Sequence, residues 1–248
     1  MKQRNNIKGV LLCGGRGTRL LPISRIINKH LLGILNKPMI LYPIETLKSL
    51  GIKDILLVSG GEHLGGFIEF LGDGSEFGVN LTYRAQKDAG GIAQALGVAK
   101  DFVGNDNMVV ILGDNIYGKM NFSNIDFDSK NSNLWLKEVP DAHRFGVCLF
   151  KENRLVKIIE KPKKLPSNLV VTGLYKYTPD VFDFIQEQKP SRRGEKEISD
   201  VNNWYIKQGR CGYTIIPKNV FWHDAGTPES LAEVTNWEIK NRQKNEKK

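Results

Sequence analysis

Short apolar runs that end in glycine mark the first half of the chain. Residues 10–13, 55–58 and 108–112 are apolar throughout, and a glycine follows each run within two residues. Such runs are typical of strands that are buried on both faces of a parallel sheet. Residues 39–50 and 91–102 carry apolar residues at helical spacing. This alternation of strand and helix predicts an α/β fold with a doubly wound, mostly parallel sheet.

The second half of the chain predicts a mixture of strands and helices. Its residue types favour strands at 145–150, 155–159, 170–177 and 213–216. A helical pattern occupies residues 199–207 and is followed by Gly209, which is a common stop signal. Because no linker interrupts this half, we expect it to extend the first sheet and to make that sheet mixed.

Two further helices are predicted from their starting residues. Thr178-Pro179-Asp180 suggests a helix with Thr178 as the N-cap and Pro179 at the first position. Thr227-Pro228-Glu229 suggests the start of the last helix in the same way. Residues 230–248 are expected to form this helix and a basic tail, which we expect to be frayed and solvated. The whole chain, residues 1–248, is thus predicted to be a single domain.

The composition excludes several classes of protein. The net charge is +9, but residues 240–248 alone carry five Lys or Arg and one Glu, so the charge is weak evidence for nucleic acid. The three cysteines are odd in number and widely spaced, which argues against a disulfide framework and for a reducing compartment, and the lack of a C-x-x-C pair argues against structural zinc. No apolar segment reaches the length of a membrane span or a signal peptide. We therefore expect a cytoplasmic protein with neither nucleic acid nor membrane as a partner.

A glycine-rich turn after the first strand is the strongest chemical signal. It consists of Leu12-Cys13-Gly14-Gly15-Arg16-Gly17-Thr18-Arg19. Glycines let backbone N–H groups approach a phosphate or a base, and the arginines add charge for oxyanions. The turn matches neither G-x-x-x-x-G-K-[ST] nor G-x-G-x-x-G, so an ordinary P-loop and an ordinary dinucleotide site are excluded. A tight turn without function would explain the glycines but not the arginines.

The same turn resembles the signature of the sugar-1-phosphate nucleotidyltransferases. Gly14-Gly15-Arg16-Gly17-Thr18-Arg19-Leu20 is followed ten residues after Arg19 by Lys29, and Lys29-His30-Leu31-Leu32 and Asn36-Lys37-Pro38-Met39-Ile40 continue the match. The similarity runs through nearly the whole chain. It is closest to short members that transfer a thymidylyl group to glucose 1-phosphate and lack a C-terminal extension.

The resemblance implies a Rossmann-like fold of the nucleotide-diphospho-sugar transferase type. Within it, residues 1–120 would form the nucleotide-binding half and residues 121–229 the sugar-binding half. The nucleotide-binding residues that the resemblance implies are Leu12, Gly14, Gly15, Arg16, Gly17, Thr18, Arg19, Gln86, Gly91 and Asp114. Those implied for the sugar are Gly146, Glu160, Lys161 and Val171, and the catalytic set is Arg19, Lys29, Asp114, Lys161 and Asp224.

Two aspartates are candidate metal ligands. Asp114 follows a buried strand, at the carboxyl end where ligands bind in open α/β sheets, although Asp114-Asn115 could equally form a turn. Asp224 lies in Trp222-His223-Asp224-Ala225-Gly226-Thr227, which by itself favours a turn before a helix. The resemblance implies that both carboxylates hold one Mg²⁺, the cation that proteins bind through few carboxylates and substrate phosphates.

The implied reaction joins dTTP and glucose 1-phosphate to give dTDP-glucose and pyrophosphate, by Mg²⁺-dependent in-line attack. Gln86 and Gly91 would read the pyrimidine, and thymine and uracil present the same pairing atoms to them. A uridylyltransferase that makes UDP-glucose and a non-catalytic nucleotide-sugar sensor therefore stay open as alternatives. A homo-oligomer is also an open expectation. The chain departs from the family pattern at Cys13, Gly33, His223 and Ala225.

Overall fold

The three apolar runs of the first half form neighbouring strands, as their sequence predicts. The computed structural model describes residues 7–15, 17–122 and 125–246. Val10 lies in parallel register between Leu56 on one side and Val110 on the other. All three side chains are fully buried. Strands flanked by parallel neighbours and covered on both faces need apolar residues at every position, which explains the continuous runs.

The strands and helices of the described residues are as follows. The strands are β1 (Lys8–Leu12), β2 (Gly33–Ile34), β3 (Lys37–Pro38), β4 (Asp54–Gly60), β5 (Asn80–Gln86), β6 (Met108–Leu112), β7 (Asn115–Tyr117), β8 (Ser132–Glu138), β9 (Gly146–Lys151), β10 (Arg154–Glu160), β11 (Leu169–Tyr177), β12 (Cys211–Ile215) and β13 (Trp222–Asp224). The α-helices are α1 (Leu41–Ser49), α2 (Leu64–Leu71), α3 (Ile92–Gly97), α4 (Lys100–Val103), α5 (Val181–Glu187), α6 (Ile198–Lys207) and α7 (Pro228–Glu246).

One mixed sheet organises the molecule. Its main path runs β10-β9-β11-β6-β1-β4-β5. Off this path, β8 pairs with β11, and β12 pairs with β8. The β6-β1-β4-β5 portion is parallel, whereas β11 is antiparallel to β6, β8 and β9. The predicted α/β fold with a doubly wound, mixed sheet in a single domain is therefore confirmed, and the second half of the chain does extend the first sheet.

Two apolar clusters cover opposite faces of this sheet. Val10 and Val110 belong to the cluster that packs under α3, α5 and α6. Leu11 and Ile111, the next residue of each strand, belong to the cluster that packs under α1 and α2. Since successive strand residues point to opposite faces, this division follows directly from the strand geometry.

Three predicted boundaries were wrong. The helix predicted at 91–102 is divided into α3 and α4, because the chain departs from helical pairing after Gly97, which packs closely on α5. Thr178 does not cap a helix, since α5 begins at Val181 and the Thr178 hydroxyl donates to Asp180 instead. The basic residues predicted as a tail are helical as far as the structure describes them, because α7 continues to Glu246.

A small two-stranded sheet brings two distant segments together at the edge where the parallel strands end. In this sheet β13 pairs in antiparallel register with β7, so that Asp224 lies opposite Asn115. Asp114 immediately precedes β7 and is separated from the end of β6 by Gly113 alone. The pairing therefore brings the Asp224 end of β13 next to Asp114, and with it the two predicted metal ligands. Along the described chain, no helix combines the length and the apolarity needed to cross a membrane.

Candidate active site

A cavity of about 810 Å³ opens at the carboxyl ends of β1 and β6. It lies where open α/β sheets bind their ligands. The sequence-predicted residues that line it are Leu12, Gly14, Gly15, Gly17, Thr18, Arg19, Lys29, Gln86, Gly91, Asp114, Gly146, Glu160, Lys161, Val171 and Asp224. Arg16 is the one predicted site residue that lies outside the described residues.

The glycine-rich turn needs glycine for its backbone and for its neighbours. Gly15 and Gly17 have positive φ angles of 94° and 58°, which residues other than glycine rarely adopt. A Cβ on Gly14 would lie 2.9 Å from Oε1 of Gln86, so a larger residue there would displace that amide. The turn thus gives the cavity a wall of exposed backbone.

Lys29 and Asp114 form a short ion pair in the wall of the cavity. The Lys29 ammonium donates to Oδ2 of Asp114 over 2.6 Å, and both side chains are largely buried. Asn28 fixes the turn that carries Lys29, because its side chain accepts from the backbone N–H of His30. Burial by itself would raise the pKa of Asp114, but the charge and hydrogen bond of Lys29 outweigh it and hold the pKa well below its usual range.

Asp224 lies beside this pair and has its own cationic partner. Nη2 of Arg144 donates to both carboxylate oxygens of Asp224, at 3.2 and 3.1 Å, and Nη1 donates to Asp141. Burial raises the pKa of Asp224 and the charge of Asp114 raises it further, whereas Arg144 opposes both effects. Sequence reasoning missed Arg144, since its partner lies 80 residues further along the chain and no motif joins the two.

The two aspartates share a small space with an arginine. A Cβ on Gly226 would stand 3.5 Å from Oδ2 of Asp114, 3.5 Å from Oδ2 of Asp224 and 3.0 Å from Nη2 of Arg19. Glycine at this position therefore lets the three charged groups approach one another. This close approach gives a physical reason for glycine at the second position after β13.

This donor set fits a hard divalent cation. Two carboxylates face one space. Burial and then the charge of Asp114 raise the pKa of Asp224, and a cation between the two carboxylates would relieve the repulsion between them. No third acidic, histidine or cysteine side chain joins them among the described residues. A cation there would therefore take its other ligands from water or from a bound phosphate, which is how Mg²⁺ is usually held.

Gln86, at the end of β5, forms one end of the cavity together with the following loop. Its Nε2 donates to Oε1 of Gln94 over 2.8 Å, and the same oxygen accepts from the backbone N–H of Gly90 over 2.9 Å. Gly91 has a φ of 101°, and a Cβ there would lie 2.5 Å from the carbonyl oxygen of Lys196. The loop is thus fixed on both sides. Sequence reasoning did not single out Gln94, whose spacing from Gln86 is informative only once the loop is folded.

Strand register assembles the other end of the cavity. Gly146 on β9 pairs with Glu160 on β10, and a Cβ on Gly146 would lie 3.5 Å from Oε2 of Glu160. Burial raises the pKa of Glu160, while the charge of Lys161 opposes it. Lys161 itself has a φ of 42°, and such backbone strain at a residue other than glycine is often found at functional sites. Val171 on β11 completes this end.

The chain is similar to known nucleotidyltransferases along nearly its whole length. A family model described as Nucleotidyl transferase matches residues 8–241. A glucose-1-phosphate thymidylyltransferase of Neisseria meningitidis is 41% identical over 236 residues, which cover 93% of this chain and 82% of that protein. A low-salt glycan biosynthesis nucleotidyltransferase of Haloferax volcanii is 38% identical over 92% of this chain and 65% of its own length.

Solved structures show a similarity that also extends along nearly the whole chain. A protein of Bacillus anthracis, solved with sucrose and provisionally named a glucose-1-phosphate thymidylyltransferase, is 46% identical with a TM-score of 0.86, and the match covers 93% of this chain and 94% of that one. A UDP-glucose pyrophosphorylase in complex with UDP-glucose is 25% identical with a TM-score of 0.84, over 95% and 99% of the two chains. On the extent of these matches, the chain belongs to the nucleotidyl transferase family.

Proposed function

We propose that the protein transfers a thymidylyl group from dTTP to glucose 1-phosphate and releases pyrophosphate, with dTDP-glucose as the second product. The observation that carries the proposal is the group of paired charges in one cavity. Lys29 and Arg144 pair with Asp114 and Asp224 there, and the Gln86 loop and the Gly146 and Glu160 strands line the same cavity. The family match and the thymidylyltransferase relatives support the same reaction.

In this reaction a phosphate oxygen of glucose 1-phosphate attacks the α-phosphorus of dTTP. The new P–O bond forms as the bond to the β-phosphate oxygen breaks, and the electron pair leaves with pyrophosphate. Arg19 and Lys29 offset the charge of the departing pyrophosphate. To do so, the Lys29 ammonium gives up its contact with Asp114 and donates to phosphate oxygens instead. Lys161 orients the attacking phosphate. Positioning and charge compensation suffice, so no covalent intermediate with the protein is needed.

Nucleotidyl transferases generally use a divalent metal. We assign Asp114 and Asp224 as the residues that would hold Mg²⁺. When bound, the ion supplies neutralisation of the negative charge on the reacting phosphates. Arg144 holds the Asp224 carboxylate in a fixed orientation through contacts to both of its oxygens.

Recognition of the substrates is assigned to the two ends of the cavity. The Gln86 amide and the backbone at Gly91 pair with the pyrimidine. Glu160 accepts hydrogen bonds from sugar hydroxyls, and the backbones of Gly146 and Val171 contact the hexose. Residues 1–120 thereby serve the nucleotide and residues 121–229 serve the sugar. A homo-oligomer and a cytoplasmic location accompany this proposal as further expectations.

Two alternatives are less well supported. A uridylyltransferase would use the same Gln86 pairing, and a thymine methyl contact would be worth only ~1–3 kcal/mol. The thymidylyltransferase relative is 41% identical, however, whereas the UDP-glucose pyrophosphorylase structure is 25% identical. A non-catalytic sensor would not need Lys29, Asp114 and Asp224 to meet in one cavity.

The test is pyrophosphate release from dTTP, UTP, CTP, ATP and GTP, each with glucose 1-phosphate and with or without Mg²⁺. We expect the fastest release with dTTP and a strict requirement for the metal. Faster release with UTP would favour the uridylyltransferase. If none of the five nucleotides gave pyrophosphate release, the proposed reaction would be contradicted. Binding of dTDP-glucose without turnover would then favour the sensor.

A further inference from the structure

A hydrogen-bond relay joins the backbone N–H of Gly90, the side chain of Gln94 and the side chain of Gln86, which is the candidate base-binding residue. The backbone N–H of Gly90 donates to Oε1 of Gln94 over 2.9 Å. Nε2 of Gln86 donates to the same oxygen over 2.8 Å. Gln86 lines the cavity and is almost fully buried, whereas Gln94 stands behind it and does not line the cavity. Gln94 can therefore influence a ligand only indirectly, through Gln86 or through the Gly90–Gly91 backbone that it also contacts.

The relay has one orientation. A backbone N–H can only donate, so the group of Gln94 that faces Gly90 must be the amide oxygen. That oxygen then requires a donor from Gln86, which must turn its Nε2 toward Gln94. A reversed Gln86 amide would place two oxygens against each other at hydrogen-bond distance. Because the amide is locked in this way, Oε1 of Gln86 points to the opposite side, where it lies 2.9 Å from the Cβ position of Gly14.

We propose that Gln94 is a specificity-determining positioning residue that makes the site accept thymine or uracil and reject cytosine. The inference rests on the proposed function, in which Gln86 pairs with a pyrimidine. Thymine and uracil present an N3–H donor beside a carbonyl acceptor, which match Oε1 of Gln86 and the second N–H of its Nε2. Cytosine presents an N3 acceptor beside an amino donor, and it would pair only with the reversed amide.

The surroundings of the relay support this role. A Cβ on Gly90 would stand 2.5 Å from Nε2 and 2.6 Å from Oε1 of Gln94, so the glycine packs directly on that amide. The backbone N–H of Lys196 donates to the carbonyl of Gly90 over 2.8 Å and anchors the loop from the other side. The Gly90 backbone that contacts the Gln94 amide is thus itself held by Lys196, which favours one arrangement of the relay.

The test compares kcat/KM for dTTP with kcat/KM for CTP in the wild type, Gln94→Met and Gln94→Glu. Methionine fills similar space without a comparable acceptor, so Gln86 becomes free to reverse. Glutamate keeps the acceptor for both donors. Since this change removes the acceptor that holds the Gln86 amide in one orientation, the dTTP-to-CTP ratio should fall by roughly ten- to a hundredfold in Gln94→Met. We expect Gln94→Glu to retain most of the wild-type ratio.

The outcomes separate the two proposals. An unchanged ratio in Gln94→Met, or an equal loss for both nucleotides, would overturn the role of Gln94 and leave the proposed function intact. A wild type that uses no pyrimidine triphosphate would contradict the proposed function itself. Binding of dTTP and CTP to the same three proteins, measured by calorimetry, provides the ratio independently of turnover. A Gln94→Met protein whose preference shifts toward CTP in both measurements would support the inference.

Discussion

At the scale of single residues, pairing between charges defines the candidate site. The sequence motifs identify Lys29, Asp114 and Asp224 as chemically important, and the structure brings them into one cavity. The motifs contain no sign that Arg144 holds Asp224, because this contact forms only when the turn before β9 meets β13. Motifs therefore predict the reacting groups, whereas the residues that orient those groups require the fold.

Asp114→Asn tests the central carboxylate. The change keeps the shape of the side chain but removes the charge that Lys29 contacts over 2.6 Å. We expect kcat with dTTP and glucose 1-phosphate to fall by at least about a hundredfold, as is typical when an electrostatic group at the reacting centre is lost. The melting temperature should show that the variant is folded.

Asp101→Asn is the matched control for this experiment. Asp101 is an exposed aspartate in α4 that pairs with Arg84 over 3.4 Å, away from the cavity. It should retain wild-type turnover, since exposed ion pairs contribute little. If Asp114→Asn were as active as this control, the assignment of Asp114 to metal and phosphate would be wrong.

At the scale of elements, continuous apolar runs are predictable and short strands are not. The three central strands of the first half follow from their composition, as does the start of α7 at Pro228. The segment Asp224-Ala225-Gly226-Thr227 favours a turn when taken alone, but its first residue ends the three-residue strand β13, which forms by pairing with β7. Tertiary pairing outweighs local preference at such positions, which include the Asp224 segment.

A buried lysine joins β11 to the loop before β8. The Lys176 ammonium donates to the carbonyls of Ser129 and Asn131, and its side chain is fully buried. Burial lowers the pKa of Lys176 from its ordinary value of 10.5 to about 8, while the charges of Asp126 and Asp128 oppose that shift. The folded protein thus loses this proton at a lower pH than the unfolded chain does.

This pKa predicts a pH dependence of stability. Between pH 8 and 10.5 the unfolded chain binds more protons at Lys176 than the folded protein does, so the free energy of unfolding rises with pH in that window. We expect the wild type to gain about 1–2 kcal/mol relative to Lys176→Met between roughly pH 7.5 and pH 9.5, measured by urea unfolding. The exposed Lys151→Met should follow the wild type. Equal pH slopes in the wild type and Lys176→Met would contradict the assigned pKa.

At the scale of the whole molecule, the mixed sheet creates one cavity with two chemically distinct ends. The parallel strands supply the glycine-rich turn and Gln86, and the antiparallel strands supply Gly146 and Glu160. The alternation of elements predicted the parallel part, whereas the pairing of β11 with three neighbours depends on long-range contacts that no local pattern contains. The arrangement is suited to holding two substrates end to end, with the paired charges between them.

The most direct test of the account is identification of the products by ³¹P NMR after incubation of the protein with dTTP, glucose 1-phosphate and Mg²⁺. We predict equal amounts of dTDP-glucose and pyrophosphate, and no product when the metal is chelated with EDTA. Recovery of both substrates unchanged, or release of inorganic phosphate without a nucleotide-sugar, would contradict the proposed nucleotidyl transfer.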